Sequence, residues 1–193
     1  GKKGGRRWLG VIILVGMLGG LLLAPLLMAA IPLMRQLVLP TNNTFGLVLL
    51  LTAGTGLLFV PALLTFGLVG GRGTAVFTTT TSGFSMGLMT PYFWDSVLSC
   101  LLAGLLAEAA IALATRYRRP NGWTMLLVGL LLGGLAAAGS LLGHGTLGLN
   151  GWQSVVVIVV TIASLVLLSE GVFILTRFIS AGGDDQGWKT AVS

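Results

Sequence analysis

Acidic residues are few in this chain: five Asp and Glu stand among 193 residues, beside eleven Lys and Arg. Charged side chains make up 8 % and apolar ones 55 %, with a mean hydropathy of +0.99. A soluble domain carries roughly 25 % charged residues because its surface faces water. These charges are too few to clothe such a surface, so lipid is the expected solvent. Cys100 is the only cysteine, which excludes an internal disulfide and a thiolate metal centre. His144 is the only histidine, so a transition-metal or haem site is not expected, and no cofactor is expected either. No phosphate-cradling Gly-rich loop with Lys occurs, and no nucleophile stands beside a plausible base; the chain does not read as an enzyme. The net charge of +6 sits in short clusters between apolar runs, without a basic face or aromatic platform, which argues against nucleic acid.

What is there is a series of apolar runs. About 20 apolar residues cross the ~30 Å hydrocarbon core. Six candidate crossings appear: Trp8 to Met34, Phe45 to Val69, Thr74 to Met89, Phe93 to Tyr117, Trp123 to Leu142 and Trp152 to Phe178. Lys2-Lys3-Gly4-Gly5-Arg6-Arg7 reads as the flank of the first helix, because the apolar run behind it is too long for a signal peptide. Cytoplasmic loops collect Lys and Arg. Ten of the eleven bases fall in the N-terminal tail, the second-to-third and fourth-to-fifth connections, and after the sixth run; only Arg35 lies on the other side. The pattern predicts an all-α integral membrane protein: a six-transmembrane-helix bundle, N-in and C-in, multi-pass in the cell membrane. Residues 1–179 form its single domain, and residues 180–193 a flexible cytoplasmic tail.

Four features invite a functional reading. Glu108 and Glu170 lie within the fourth and sixth runs, each about 12–14 Å from its basic-side end at 1.5 Å per residue, with no Lys or Arg expected at that level. Such a carboxyl either serves a ligand or a proton, or hydrogen-bonds two helices together. The hydroxyl run Thr78-Thr79-Thr80-Thr81-Ser82 covers every face of a helix, so it must be enclosed: its hydroxyls bond backbone carbonyls, or, as for Thr80, line a solute cavity. The base-poor loops hold Asn42-Asn43-Thr44 (a weak sequon), then Tyr92, Trp94 and Asp95, then His144, Asn150 and Trp152. They form either an aromatic belt in the headgroups or a pocket for a small polar, ring-bearing molecule. Gly16, Gly20 and Ala24 repeat every four residues and build a flat ridge for close helix contact, inside the bundle or, if outward, against another subunit.

The middle of the chain resembles a known family. Val60-Pro61-Ala62-Leu63-Leu64, Gly71-Arg72-Gly73-Thr74-Ala75 and Gly104-Leu105-Leu106-Ala107-Glu108-Ala109, ending in Arg116-Tyr117-Arg118-Arg119, are similar to the hydroxymethylpyrimidine/thiamine branch of the S-components of energy-coupling factor (ECF) vitamin transporters. That branch shows a Pro near the second helix, a basic R-x-G-A turn, and a G-x-x-A-E helix ending in bases. The resemblance covers about residues 58 to 120. It implies a substrate-binding subunit working with a transmembrane coupling subunit and a pair of ATPases. The vitamin would sit in the outer half, with Glu108 meeting an aminopyrimidine or thiazolium, and Gly16, Gly20 and Ala24 would face the coupler. The main alternative is an accessory structural subunit of a large respiratory or photosynthetic complex; a third is a proton-coupled homodimeric carrier using Glu108 and Glu170.

Overall fold

The computed structural model describes residues 2–38, 44–118, 120–144 and 150–182. These fold into helix α1 (Lys2–Val38), α2 (Thr44–Thr55), a 3-10 turn (Gly56–Phe59), α3 (Val60–Val69), α4 (Thr74–Met89), α5 (Phe93–Thr115), α6 (Gly122–His144) and α7 (Gly151–Gly182). Among the described residues there is no strand.

Local chemistry accounts for the boundaries. The second apolar run is one helical rod over residues 44–69 with a 3-10 turn at its middle. Pro61 has no N–H, and its ring crowds the carbonyl four residues back. The chain tightens before it, so the Val60 N–H donates to Leu57 O, three residues back. Gly70, Gly71 and Gly73 follow with φ of +66°, +101° and +80°, conformations that a Cβ disfavours, and reverse the chain into α4. Helix α5 stops at Thr115, two residues before the expected end. Arg116 and Tyr117 both turn left-handed there, while the Thr115 hydroxyl donates to Ile111 O and accepts the Tyr117 N–H. At α6, Asn121 and Thr124 cap reciprocally: each side-chain oxygen accepts the other's backbone N–H. Helix α7 outlasts its expected end, running to Gly182; the remainder of the expected tail lies outside the described residues.

Glycine contacts give the direction of each rod. Gly83 of α4 lies against Cys100 and Val97, and Gly104 of α5 against Val76 and Thr79, so α4 and α5 are antiparallel. Gly122, Gly129 and Gly133 meet Phe173, Val166 and Ile162 in turn, which makes α6 and α7 antiparallel. Helices α1 and α4 run parallel, with Gly16 on Thr78 and Gly20 on Ser85. The rod of α2 and α3 runs parallel to α7, with Gly56 beside Ser164 and Gly67 beside Thr176. The six rods therefore alternate up and down. Arg72, Arg116, Arg118 and Arg177 gather at the end where α1 begins, and the α4–α5 turn and the start of α7 lie at the other.

The core is formed by Phe59, Leu63 and Phe66 with Ala75, Ala107, Ile111, Met125, Val128, Leu132 and Leu165. A smaller cluster joins Ala24, Met86 and Cys100. Outside it, α1 presents Leu14, Leu18, Leu22 and Leu26, all at least half exposed, in an unbroken i, i+4 row. Such a surface suits lipid, not water. Helices over Trp8–Leu26, Phe93–Thr115, Gly122–Gly139 and Gly151–Ser180 are long and apolar enough to cross a membrane. The chain is thus an all-helical, multi-pass membrane protein. Helix α4, with 16 residues, spans only about 24 Å.

Candidate functional site

Helix α4 begins without a cap of its own. Its N-cap is Gly73, which has no side chain to accept the free N–H groups of the first turn. The acceptor comes from α5. The Gly73 N–H donates to Glu108 Oε1 at 2.6 Å and the Ala75 N–H to Oε2 at 3.2 Å. A carboxylate at this position also faces the positive end of the α4 dipole. The Tyr117 hydroxyl donates to Oε1 at 2.8 Å, which the two left-handed residues after α5 make possible by folding the ring back along the helix. The Arg72 guanidinium lies 5.5 Å from the Tyr117 ring centroid. Glu108, Tyr117, Arg72 and the glycine turn thus form one latch joining three segments.

This geometry corrects the expected setting of Glu108. The α3–α4 turn reaches its level and brings Arg72 with it, so the carboxyl does not lie at a depth without a base. Its oxygens bond to this chain's own donors. The Tyr117 phenol is pushed above its ordinary value of 10.0, by burial first, then by the bond to Glu108 and that carboxylate's charge, with Arg72 opposing.

The hydroxyl run is spent on backbone. Thr78, Thr79, Thr80 and Thr81 donate to Thr74 O, Ala75 O, Val76 O and Phe77 O at 2.7–2.8 Å. Ser85 also donates to Ser82 O within α4 at 3.1 Å, while Ser82 and Ser85 reach across to Gly16 O at 2.8 Å and Met17 O at 3.3 Å. These two bonds need backbones in close approach, and the small residues of α1 provide it. A Cβ on Gly16 would stand 2.8 Å from both Thr78 O and Thr81 Cβ, and one on Gly20 would run into Ser85 Oγ and Ser82 O. Ala24 is buried with Met86 and Cys100. The ridge of Gly16, Gly20 and Ala24 faces inward onto α4, so it is no outward docking face.

The remaining predicted residues lie elsewhere. Tyr92, Trp94 and Asp95 are exposed around the start of α5, and Asn150 and Trp152 are exposed at the start of α7. Phe93 packs edge-on against Phe84 at 5.2 Å and Trp94 at 5.3 Å, and Trp152 packs on Phe45 at 5.6 Å. Asn150 caps α7: its N–H donates to Gln153 Oε1 and its carbonyl accepts the Ser154 N–H and hydroxyl. His144 is the last residue of α6; its side chain, like Asn42 and Asn43, lies outside the described residues. Trp94 precedes Glu108 on the same helix by fourteen residues, about 21 Å at 1.5 Å per residue. The carboxyl and the aromatic end therefore do not share one site. Glu170 sits on α7, and its Oε1 is buried without a hydrogen-bond partner.

Sequence reasoning missed Tyr117 and Gly73 as partners of Glu108. The available signal was the helix start after Gly-Arg-Gly, which lacks a capping side chain and so calls for an acceptor from another segment. Among the described residues, no group of three or more His, Cys, Asp or Glu could hold a metal ion. Comparison with family models, with curated proteins and with solved structures finds no match in any of the three.

Proposed function

We propose that this chain is a six-span, N-in/C-in membrane subunit of the ECF S-component type. In this reading it binds a small heterocyclic nutrient, thiamine or its pyrimidine precursor foremost, and hands it on with a coupling subunit and ATPases. One observation carries the reading. Two of the three pieces of sequence on which the resemblance rests, Gly71 to Ala75 and Gly104 to Ala109, are hydrogen-bonded to each other through Glu108. Residues 33 and 35 positions apart act as one unit, as a shared family motif would. The bases gathered at the end where α1 begins favour that end as the cytoplasmic one.

The latch changes the roles within the proposal. Glu108 becomes a positioning residue that fixes the α3–α4 turn, and ligand binding moves to the base-poor end, to Tyr92, Trp94, Asp95, Asn150, Trp152 and His144. Aromatic faces there can stack a ring while amides and Asp95 meet its polar edge. With Gly16, Gly20 and Ala24 engaged by α4, docking of a coupling subunit falls to the leucine row of α1.

The test is thermal stability of the purified chain across a vitamin panel. A ligand at one hundred times its dissociation constant adds about 2.7 kcal/mol. Stabilisation that is lost in Trp94→Ala and Trp152→Ala, yet retained in Glu108→Gln, supports this assignment. The accessory-subunit reading is favoured by one observation, the complete use of the Thr78 to Thr81 hydroxyls within α4. No shift with any compound, together with copurification of cofactor-bearing proteins, would decide for it.

A further inference from the structure

Glu170 is the one acid of the α7 span, and its hydrogen bonding contrasts with that of Glu108. Glu108 receives two backbone N–H bonds and a phenol O–H; Glu170 Oε1 is buried and receives none. The elements packed against α7 are α6, α3, α2 and the 3-10 turn. Their sequences contain no Asp, Glu, Lys or Arg, and the only titratable group among them is His144. The antiparallel register that pairs Gly129 with Val166 and Gly122 with Phe173 sets Glu170 level with Met125, a fully buried residue. His144 is nineteen residues beyond Met125 on α6, about 28 Å along the axis. On α7 itself, Arg177 is two turns away, and its guanidinium lies 5.5 Å from the Phe173 ring centroid. No base faces the carboxyl from α2, the 3-10 turn, α3 or α6, and on α7 the Arg177 guanidinium lies over Phe173, one turn from Glu170.

A carboxylate whose Oε1 is buried without a donor is costly in a membrane span, and the neutral carboxylic acid costs much less there. We infer that Glu170 is a proton-binding site within the α7 span, its carboxyl held as the acid and its proton exchangeable. This goes beyond the nutrient-binding reading and does not rest on it; it requires only that α7 lies in the membrane.

Infrared spectra of the purified full chain test the proton directly. The carbonyl band of a protonated carboxylic acid should be present in the wild type, shift in heavy water, and be absent from Glu170→Gln. A second measurement needs no variant. Dicyclohexylcarbodiimide adds to a carboxylic acid: the O–H proton passes to one carbodiimide nitrogen, and the carboxyl oxygen bonds to the central carbon. The acyl group then migrates from oxygen to nitrogen, leaving a stable N-acylurea with no group expelled. Peptide mass mapping should place that adduct on Glu170 and not on Glu108, with complete loss in Glu170→Gln and none in Glu108→Gln. Spectra identical for wild type and Glu170→Gln would overturn the inference. So would a band that does not respond to heavy water, or an adduct found on Glu108 and absent from Glu170.

Discussion

Replacing Glu108 by Ala removes the acceptor for three donors at once: the Gly73 N–H, the Ala75 N–H and the Tyr117 O–H. A hydrogen bond to a charged group contributes about 1.5–3 kcal/mol. The carboxyl is partly exposed, and water can serve some of the freed donors, so the sum is discounted to about 3 kcal/mol. At 2–4 °C per kcal/mol for a chain of this size, the melting temperature should fall by roughly 6–12 °C. Cys100 supplies the assay. It is the chain's only cysteine and 1 % exposed, packed on α5 against Gly83, so a thiol-reactive fluorophore reports its release on unfolding. Glu108→Gln keeps one good acceptor and should fall between wild type and Glu108→Ala. Tyr117→Phe should lose only its single bond, about 1 kcal/mol. In the double variant with Glu108→Ala, the Tyr117→Phe cost should vanish, because its partner is already gone. If Glu108→Ala melts with the wild type, the latch does not hold α4, and the reading of Glu108 as a positioning residue fails.

Other outcomes follow from the same contacts. Gly20→Ala should destabilise by about 1–3 kcal/mol through collision with Ser82 O and Ser85 Oγ. Gly134→Ala, in open space on α6, should instead stabilise by about 0.5–1 kcal/mol, both read with the thiol assay. Ser82→Ala removes the bond to Gly16 O and should cost about 0.6 kcal/mol, near the mean for interhelical bonds in a membrane bundle. The raised Tyr117 phenol fixes a sign with pH: its contribution is fully present below the ordinary 10.0 and is lost as pH rises through the higher folded value. Wild type and Tyr117→Phe should therefore converge in stability only at strongly alkaline pH. In a Cys100→Ala background, single cysteines at Arg118 and Asn150 should react with an impermeant maleimide from opposite sides of the membrane. Labelling of both from one side would remove the six-span topology.

The scarcity of acids determined the solvent, since no packing can turn a chain with 8 % charge into a water-soluble surface. The rods were legible for the same local reason: Pro61 dictates the 3-10 turn, and the Gly70-Gly71-Arg72-Gly73 stretch dictates the reversal before α4. That the threonines of α4 would turn to their own carbonyls was one of two options the sequence left open, and neighbours four residues apart sufficed to satisfy them; the enclosure expected of this helix is partial, since Phe77, Phe84 and Leu88 are exposed. Tertiary structure alone decided which way the small-residue ridge points, because a repeat of four marks a face without saying what meets it; Ser82 and Ser85, over sixty residues away, turned it inward. It also decided the fate of the two intramembrane carboxyls. Their depth along each helix is local and looked alike, but their partners are not local. A glycine turn and a folded-back tyrosine reached Glu108, and nothing of the kind reached the buried oxygen of Glu170.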